Sequence, residues 1–242
     1  DLGRSVSLER PVLDVVLERI GPTLLLASAA LMLGTLLGLA AGLLAALRHN
    51  QLVDRLVTLG VLLGISIPSF WLGLLLILVF AVWLGWLPAS GMTTVWQDGH
   101  SLGDLLRHLI LPTMSLSLVA AGVIGRVGRA AAIEVLGAEH IRLCRARGIS
   151  ERRILLVHGV KGVLARIVPV IGLQAGFLIG GAVYVETIFQ WPGLGRMLVD
   201  AIAARDLLLV QGGVLVLASA YVLVNLAADV AQRALDRRTR AV

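Results

Sequence analysis

Residues Arg126 to Arg166 carry nine basic side chains and three acidic ones between two apolar runs. Guanidinium groups at this density make ion pairs and charge-assisted hydrogen bonds, which is the chemistry of docking. Within the stretch lie RLCRARG (Arg142 to Gly148) and SERRILLVHG (Ser150 to Gly159). A plain membrane anchor needs no such segment. A charged, partly helical loop on the cytoplasmic side points to a partner that docks there and moves the spans behind it. The blander reading is anchorage of these basic groups to anionic lipid, worth about 1 kcal/mol each. Patterns for covalent or hydrolytic chemistry are missing. There is no GxxxxGK[ST] to cradle ATP phosphates and no HExxH for zinc. Ser66 lies in GISIP rather than in a GxSxG nucleophile turn. His49, His100, His108, His140 and His158 are not at ligand spacing. The single cysteine, Cys144, allows no internal disulfide and fits a reducing compartment. Neither a catalytic residue, a metal set nor a cofactor site is expected in this chain.

The elements that must position this segment are apolar. The chain is 58% hydrophobic, with a mean hydropathy of +0.92. A bilayer crossing needs about 20 apolar residues. Gly21 to Leu47 and Leu56 to Gln97 hold no charge, and three further runs follow. The expected spans are about 21–47, 57–86, 109–132, 167–186 and 207–230. Within lipid every backbone amide must find its partner internally, so these spans are helices. The segment 133–166 is the loop, and 231–242 is a tail. The whole is expected as one all-α transmembrane domain, a polytopic helix bundle.

Arginine placement sets the orientation. Basic residues follow span one (Arg48, Arg55), close and follow span three (the nine above, from Arg126 on) and follow span five (Arg233, Arg237, Arg238, Arg240). After spans two and four there are only Arg107, then Arg196 and Arg205. The basic faces are therefore read as cytoplasmic, with residues 1–20 external and the C-terminus inside. This bias accounts for most of the net charge of +6, so no nucleic-acid partner is implied. An external start at Asp1, without a signal-like stretch, leads to the expectation of a further upstream span, six in the intact protein.

Small residues recur every fourth position at Gly34, Gly38 and Gly42, and again at Gly172, Gly176 and Gly180. That spacing forms a stripe on which helix backbones approach closely. Pro68 is expected to kink span two. Trp83 and Trp86 suit an interfacial aromatic belt at its outer end.

A transporter-like bundle with no energy source and a docking loop points to a permease driven by separate ATPases. The chain also resembles a known family, the permeases of binding-protein-dependent ABC importers in the dipeptide, oligopeptide and nickel branch. The resemblance covers the whole chain. It is carried by SIPSFWLGLLLILVFAVWLGWLPASG (Ser66 to Gly91), LRHLILPTMSLSL (Leu106 to Leu118), EVLGAEHIRLCRARGISERRILLVHG (Glu134 to Gly159) and VETIFQWPGLGRMLVDAIAARDLLLVQG (Val185 to Gly212). It implies the type I ABC importer permease fold in a bacterial cytoplasmic (inner) membrane. It also implies a second homologous permease, one or two ABC ATPase subunits that bind the ATP and Mg, and an extracytoplasmic binding protein.

The resemblance further assigns the loop. Its family motif is an EAA triplet, three residues, then Gly; here Arg142-Leu143-Cys144 stands in the triplet register, with Gly148 present. The implied coupling segment is Glu139, His140, Ile141, Arg142, Leu143, Cys144, Arg145, Ala146, Arg147 and Gly148, docked in a groove of an ATPase. Gly148 should end that helix, and Ser150 should cap the next. The resemblance places Glu186, Trp191, Pro192, Gly193 and Gly195 at the outer mouth, facing the binding protein; a segment that packs on its own bundle is the alternative. Short peptides are the first expected substrate, with nickel or a metal-chelate second. A secondary transporter, a channel or a membrane enzyme would lack the partners named above.

Overall fold

A computed structural model of the chain describes residues 2–94 and 101–235. The described residues are helical apart from turns and one small bridge between Arg4 and Pro11. In order, the helices are α1 (Val12–Leu47), α2 (Leu52–Ser66), α3 (Ser69–Leu76), α4 (Leu102–Gly137), α5 (Glu139–Ala146), α6 (Glu151–Arg153), α7 (Val160–Ile188), α8 (Leu194–Ala203) and α9 (Leu207–Leu235). α3 runs on as a π-helical turn over Ile77–Trp83, and α6 joins α7 through another over Ile154–Gly159. Four helical stretches are long and apolar enough to cross a membrane, and the pair α2 and α3 makes a fifth if read as one span.

Several bounds differ from those expected. α1 starts at Val12 rather than near residue 21. Val12, Val15 and Val16 are buried at helical spacing, while Asp14 and Glu18 face out. Those charges lowered the local hydropathy without breaking the helix. α4 likewise extends beyond the expected 109–132 at both ends, where Asp104 and Glu134 are helical. The expected kink at Pro68 is a full interruption: Ile67 and Pro68 separate two helices, and Pro68 sits extended as the N-cap of α3. A residue before proline is pushed out of the helical region, and proline has no N–H to give. α9 continues into the expected tail as far as Leu235, and residues 236–242 lie outside the described residues.

The chain forms two compact units. The first comprises Asp1–Met32, Ile67–Leu118 and Ala175–Val224. Its core gathers Val12, Val15 and Val16 of α1, Leu194, Met197, Leu198 and Ala201 of α8, and Leu209 of α9. Asp206 caps α9: it accepts from the Leu209 amide at 3.1 Å, and from Ser5 Oγ and Ser7 Oγ at 2.5 and 2.8 Å. Burial raises its pKa, but these bonds outweigh that and hold it below the usual carboxylate range.

The second unit comprises Leu33–Ser66, Val119–Gln174 and Asn225–Val242. Here α1 and α4 touch backbone to backbone. A Cβ at Gly38 would lie 2.6 Å from the carbonyl oxygen of Ala121, and one at Gly42 would lie 2.7 Å from that of Gly125. Gly34 is buried on the same helix. On α7, a Cβ at Gly172 would meet the Ala228 methyl of α9 at 2.3 Å. Gly176 is also buried, but Gly180 is exposed and a Cβ there would meet nothing within 4 Å. The packing role expected for Gly180 is therefore not observed within this chain. A four-residue step overshoots one helical turn by about 40°, so the stripe has rotated off the packed face by Gly180.

Gly38→Ala and Gly42→Ala should each lower the stability of the purified chain by about 2 kcal/mol, because backbone cannot yield as a side chain can. Gly180→Ala should not lower it and should raise it by up to about 1 kcal/mol, since alanine suits a helix interior better than glycine. Thermal unfolding in detergent checks this; a Gly38→Ala protein as stable as the parent would contradict the close approach.

Candidate functional site

Two sites deserve construction from their residues, one in each unit. In the first unit, the α7 C-terminus is followed by Trp191-Pro192-Gly193 and then α8. The N-terminal amides of a helix have no partner in their own helix. α8 begins at Gly193, whose missing side chain makes no cap. Its amides are met from a distance instead. Thr23 Oγ1 accepts from the Leu194 amide at 2.8 Å, and Glu186 Oε2 accepts from the amides of Gly195 and Arg196 at 2.8 and 3.1 Å. Thr23 Oγ1 in turn donates to Glu186 Oε1 at 2.6 Å. A carboxyl placed against a helix N-terminus also meets the positive end of its dipole.

The two glycines exist to let this happen. A Cβ at Gly193 would fall 2.2 Å from the Glu186 carboxyl group, and one at Gly195 would fall 2.6 Å from Val183 Cα. Trp191 is fully buried, and its Nε1 donates to the Pro22 carbonyl at 2.9 Å. So Glu186, Trp191, Gly193 and Gly195 are buried, and Pro192 is half-buried. Within this chain these residues pack on their own bundle, the alternative stated for the segment. They pin α8, whose exposed side chains are Val199, Asp200, Ile202 and Ala203.

In the second unit, α5 lies between α4 and α6. Among its described side chains Ile141 is the buried one. Its end is a Schellman turn: the Gly148 amide donates to Arg145 O at 2.9 Å and the Ile149 amide to Cys144 O at 3.2 Å. Gly148 takes φ +74°, which only glycine adopts without strain. Arg145 bends back, with Nε and Nη2 on the two oxygens of Glu151 at 2.7 and 3.2 Å and Nη1 on Leu136 O at 3.3 Å. Each partner's hydrogen bond raises the Arg145 pKa and lowers that of Glu151. Ser150 stands at the N-cap of α6 with the extended backbone of a cap, but its side chain makes no capping bond, contrary to expectation. Glu139, Arg142, Leu143, Ala146, Arg147 and Gly148 are exposed, and Cys144 is half-buried. The His140 side chain lies outside the described residues.

The composition did not announce a third feature. Arg129 of α4 grips the buried Asp54 of α2 with two parallel bonds, Nε–Oδ1 at 2.6 Å and Nη2–Oδ2 at 2.7 Å. Asp54 also accepts from the Asn50 amide at 2.9 Å, which turns the chain between α1 and α2. The available signal was an acid in the first turn of an apolar helix and a base within another. His108 is buried, with Nδ1 2.9 Å from the Asp104 carbonyl oxygen. Among the described residues no group of three or more His, Cys, Asp or Glu is placed to hold a metal.

Residues 38–241 match a family described as binding-protein-dependent transport system inner membrane component. The chain is 40% identical over 240 residues to the glutathione transport system permease protein GsiC of Escherichia coli K12, covering 99% of this chain and 75% of that one. The protein of the same name in Shigella dysenteriae matches at the same identity and coverage. Among solved structures, inward facing conformations of the MetNI methionine ABC transporter superpose with a TM-score of 0.75 at 20% identity, covering 92% of this chain and 97% of that one. An amino acid ABC transporter with histidines gives 0.63 at 14% identity, covering 93% and 94%. At these identities the two structures establish the fold, that of ABC importer permeases.

Glu186→Ala removes the acceptor for two buried amides and one hydroxyl, so it should destabilise the protein by about 2 kcal/mol. Glu186→Gln keeps a carbonyl oxygen and should cost less. Limited proteolysis between Trp191 and Asp206 reads out the loosening of α8; equal resistance in Glu186→Ala would contradict the cradle.

Proposed function

We propose a function that starts from an established premise: the chain belongs to the binding-protein-dependent transport system inner membrane component family and is a multi-pass permease subunit of an ABC importer. As such it is a translocating subunit rather than an enzyme. It pairs with a second homologous permease, and the pathway runs between them. ATP and Mg are held by one or two separate ATPase subunits, and an extracytoplasmic binding protein delivers the substrate. The arginine-rich segments lie on the cytoplasmic side, which puts the N-terminal end of this chain outside and α5 inside.

Short peptides are the substrate. The supporting observation is the 40% identity, over nearly the whole chain, to a permease whose name says it transports glutathione, itself a tripeptide. α5 transmits the power stroke. Closure of the ATPases around ATP carries α5 with it, and the spans exchange an inward-open for an outward-open state. Such transmission needs a stiff part. α5 has eight residues, a Schellman stop and a brace from Arg145 to Glu151.

The experiment is uptake of labelled dipeptide, tripeptide and glutathione, and of nickel with and without chelator, in cells that depend on this chain. Peptide uptake that competes across the peptides but not with nickel is expected; metal or chelate uptake alone would replace the substrate. Gly148→Val should abolish uptake while the subunit remains in the membrane with its ATPases bound, because a β-branched residue at φ +74° unravels the stop. Normal uptake in that variant would contradict the coupling role.

A further inference from the structure

We propose that a cleft between α1, α2 and α4 holds an anionic phospholipid of the inner leaflet, with its phosphate on Arg126 and the start of an acyl chain in the cleft. This rests on the orientation proposed above, with the arginine-rich helix ends in the cytoplasm.

The cleft lies within the second unit and measures about 60 Å3. Its walls are apolar, from Ala41 and Gly42 of α1 and from Val57, Val61 and Leu62 of α2. α4 adds Arg126 and Arg129. The small residues of α1 leave a furrow where that helix meets α4 backbone to backbone. It is too narrow for a peptide or a second helix, since sites for such ligands run to about 300–1,000 Å3. A few methylenes of a lipid chain fit it.

The two arginines differ in their partners. Arg129 holds Asp54 with two parallel bonds, so its charge is matched. Asp54 stands in the first turn of α2, so Arg129 marks the level at which α2 enters the membrane. Arg126 comes three residues earlier in α4, about 4.5 Å further into the span. It is exposed, and among the described residues no ion pair or hydrogen bond reaches it. Arg145 and Arg166, by contrast, are matched by Glu151 and Glu134.

A lone guanidinium at the edge of hydrocarbon is costly unless an anion meets it. The anion at that depth is lipid phosphate, which a guanidinium binds in bidentate geometry. Basic pockets between spans on the cytoplasmic side suit anionic headgroups for this reason. The chain is in hydrocarbon whether bound or free, so the cleft orients it but adds little affinity. Selectivity therefore comes from the headgroup. A zwitterionic lipid sets its own cation beside the phosphate, in competition with Arg126, and phosphatidylglycerol does not.

The test is native mass spectrometry of the assembled importer, released from nanodiscs of phosphatidylglycerol and phosphatidylcholine in equal parts. The parent should retain phosphatidylglycerol preferentially. Arg126→Gln should lower that retention about fivefold, the factor that one basic group supplies at a charged surface. Arg126→Lys keeps the charge and should retain most of it. Ala41→Phe fills the cleft while leaving Arg126 in place, and should also lower retention. Arg48→Gln, at an exposed position outside the cleft, should not. Equal retention in the parent and in Arg126→Gln would overturn the site. An Arg126→Gln complex that sheds a subunit while retaining lipid as the parent does would assign Arg126 to a neighbouring protein and overturn the proposal. The orientation has its own readout: Arg48→Cys, in a Cys144→Ser background, should resist an impermeant thiol reagent added outside intact cells. Labelling there would overturn the orientation and the inner-leaflet site together, whereas protection there with unchanged retention in Arg126→Gln would overturn the lipid site alone.

Discussion

Hydrocarbon offers a peptide group nothing to bond to, and the rest of this structure depends on that constraint. It forces each apolar run into a helix. It also displaces charge chemistry to the places where helices begin and end. Asp54 sits in the first turn of α2. Glu186 sits in the last turn of α7, and Asp206 immediately before α9. Arg145 and Glu151 belong to short helices between long ones. Close contact deep along the helices is left to glycine, as at Gly38 and Gly42, where backbone meets backbone.

The helix ends are consequently where the polar work is concentrated. α8 is the clearest case. It is amphipathic, and its apolar side adds Leu194, Met197, Leu198 and Ala201 to the core of the first unit. Burying its N-terminus would strand three amides, at a cost of about 1–3 kcal/mol apiece. Thr23 and Glu186 meet all three, although one lies in α1 and the other in α7. The PGLG sequence is thus explained by approach distance: side chains at Gly193 or Gly195 would occupy the space of the carboxyl or of the α7 backbone.

The features that could be read in the sequence were local ones. Hydropathy located the long apolar helices, four of them or five if α2 and α3 are read as one span, because lipid solvation depends on composition. A glycine three residues after Arg145 marked the stop of α5, and the structure places Gly148 at a positive φ there. Features set by distant partners were hidden. Resemblance places Glu186 at the outer mouth, and nothing nearby in the chain predicts the amides it caps. The Asp54 and Arg129 pair joins positions 75 residues apart. At Gly180 no packing is observed within this chain, because a four-residue step drifts off the packed helix face. At α1 the charges Asp14 and Glu18 masked a valine periodicity that was present in the sequence and outweighed them.

The most direct test of the account is ATP hydrolysis by the whole complex in lipid nanodiscs: this permease, its partner permease, the ATPases and the binding protein. The account predicts that hydrolysis rises when the binding protein is loaded with peptide and stays basal with empty binding protein. Hydrolysis indifferent to loaded binding protein, or absent with every partner present, would contradict it.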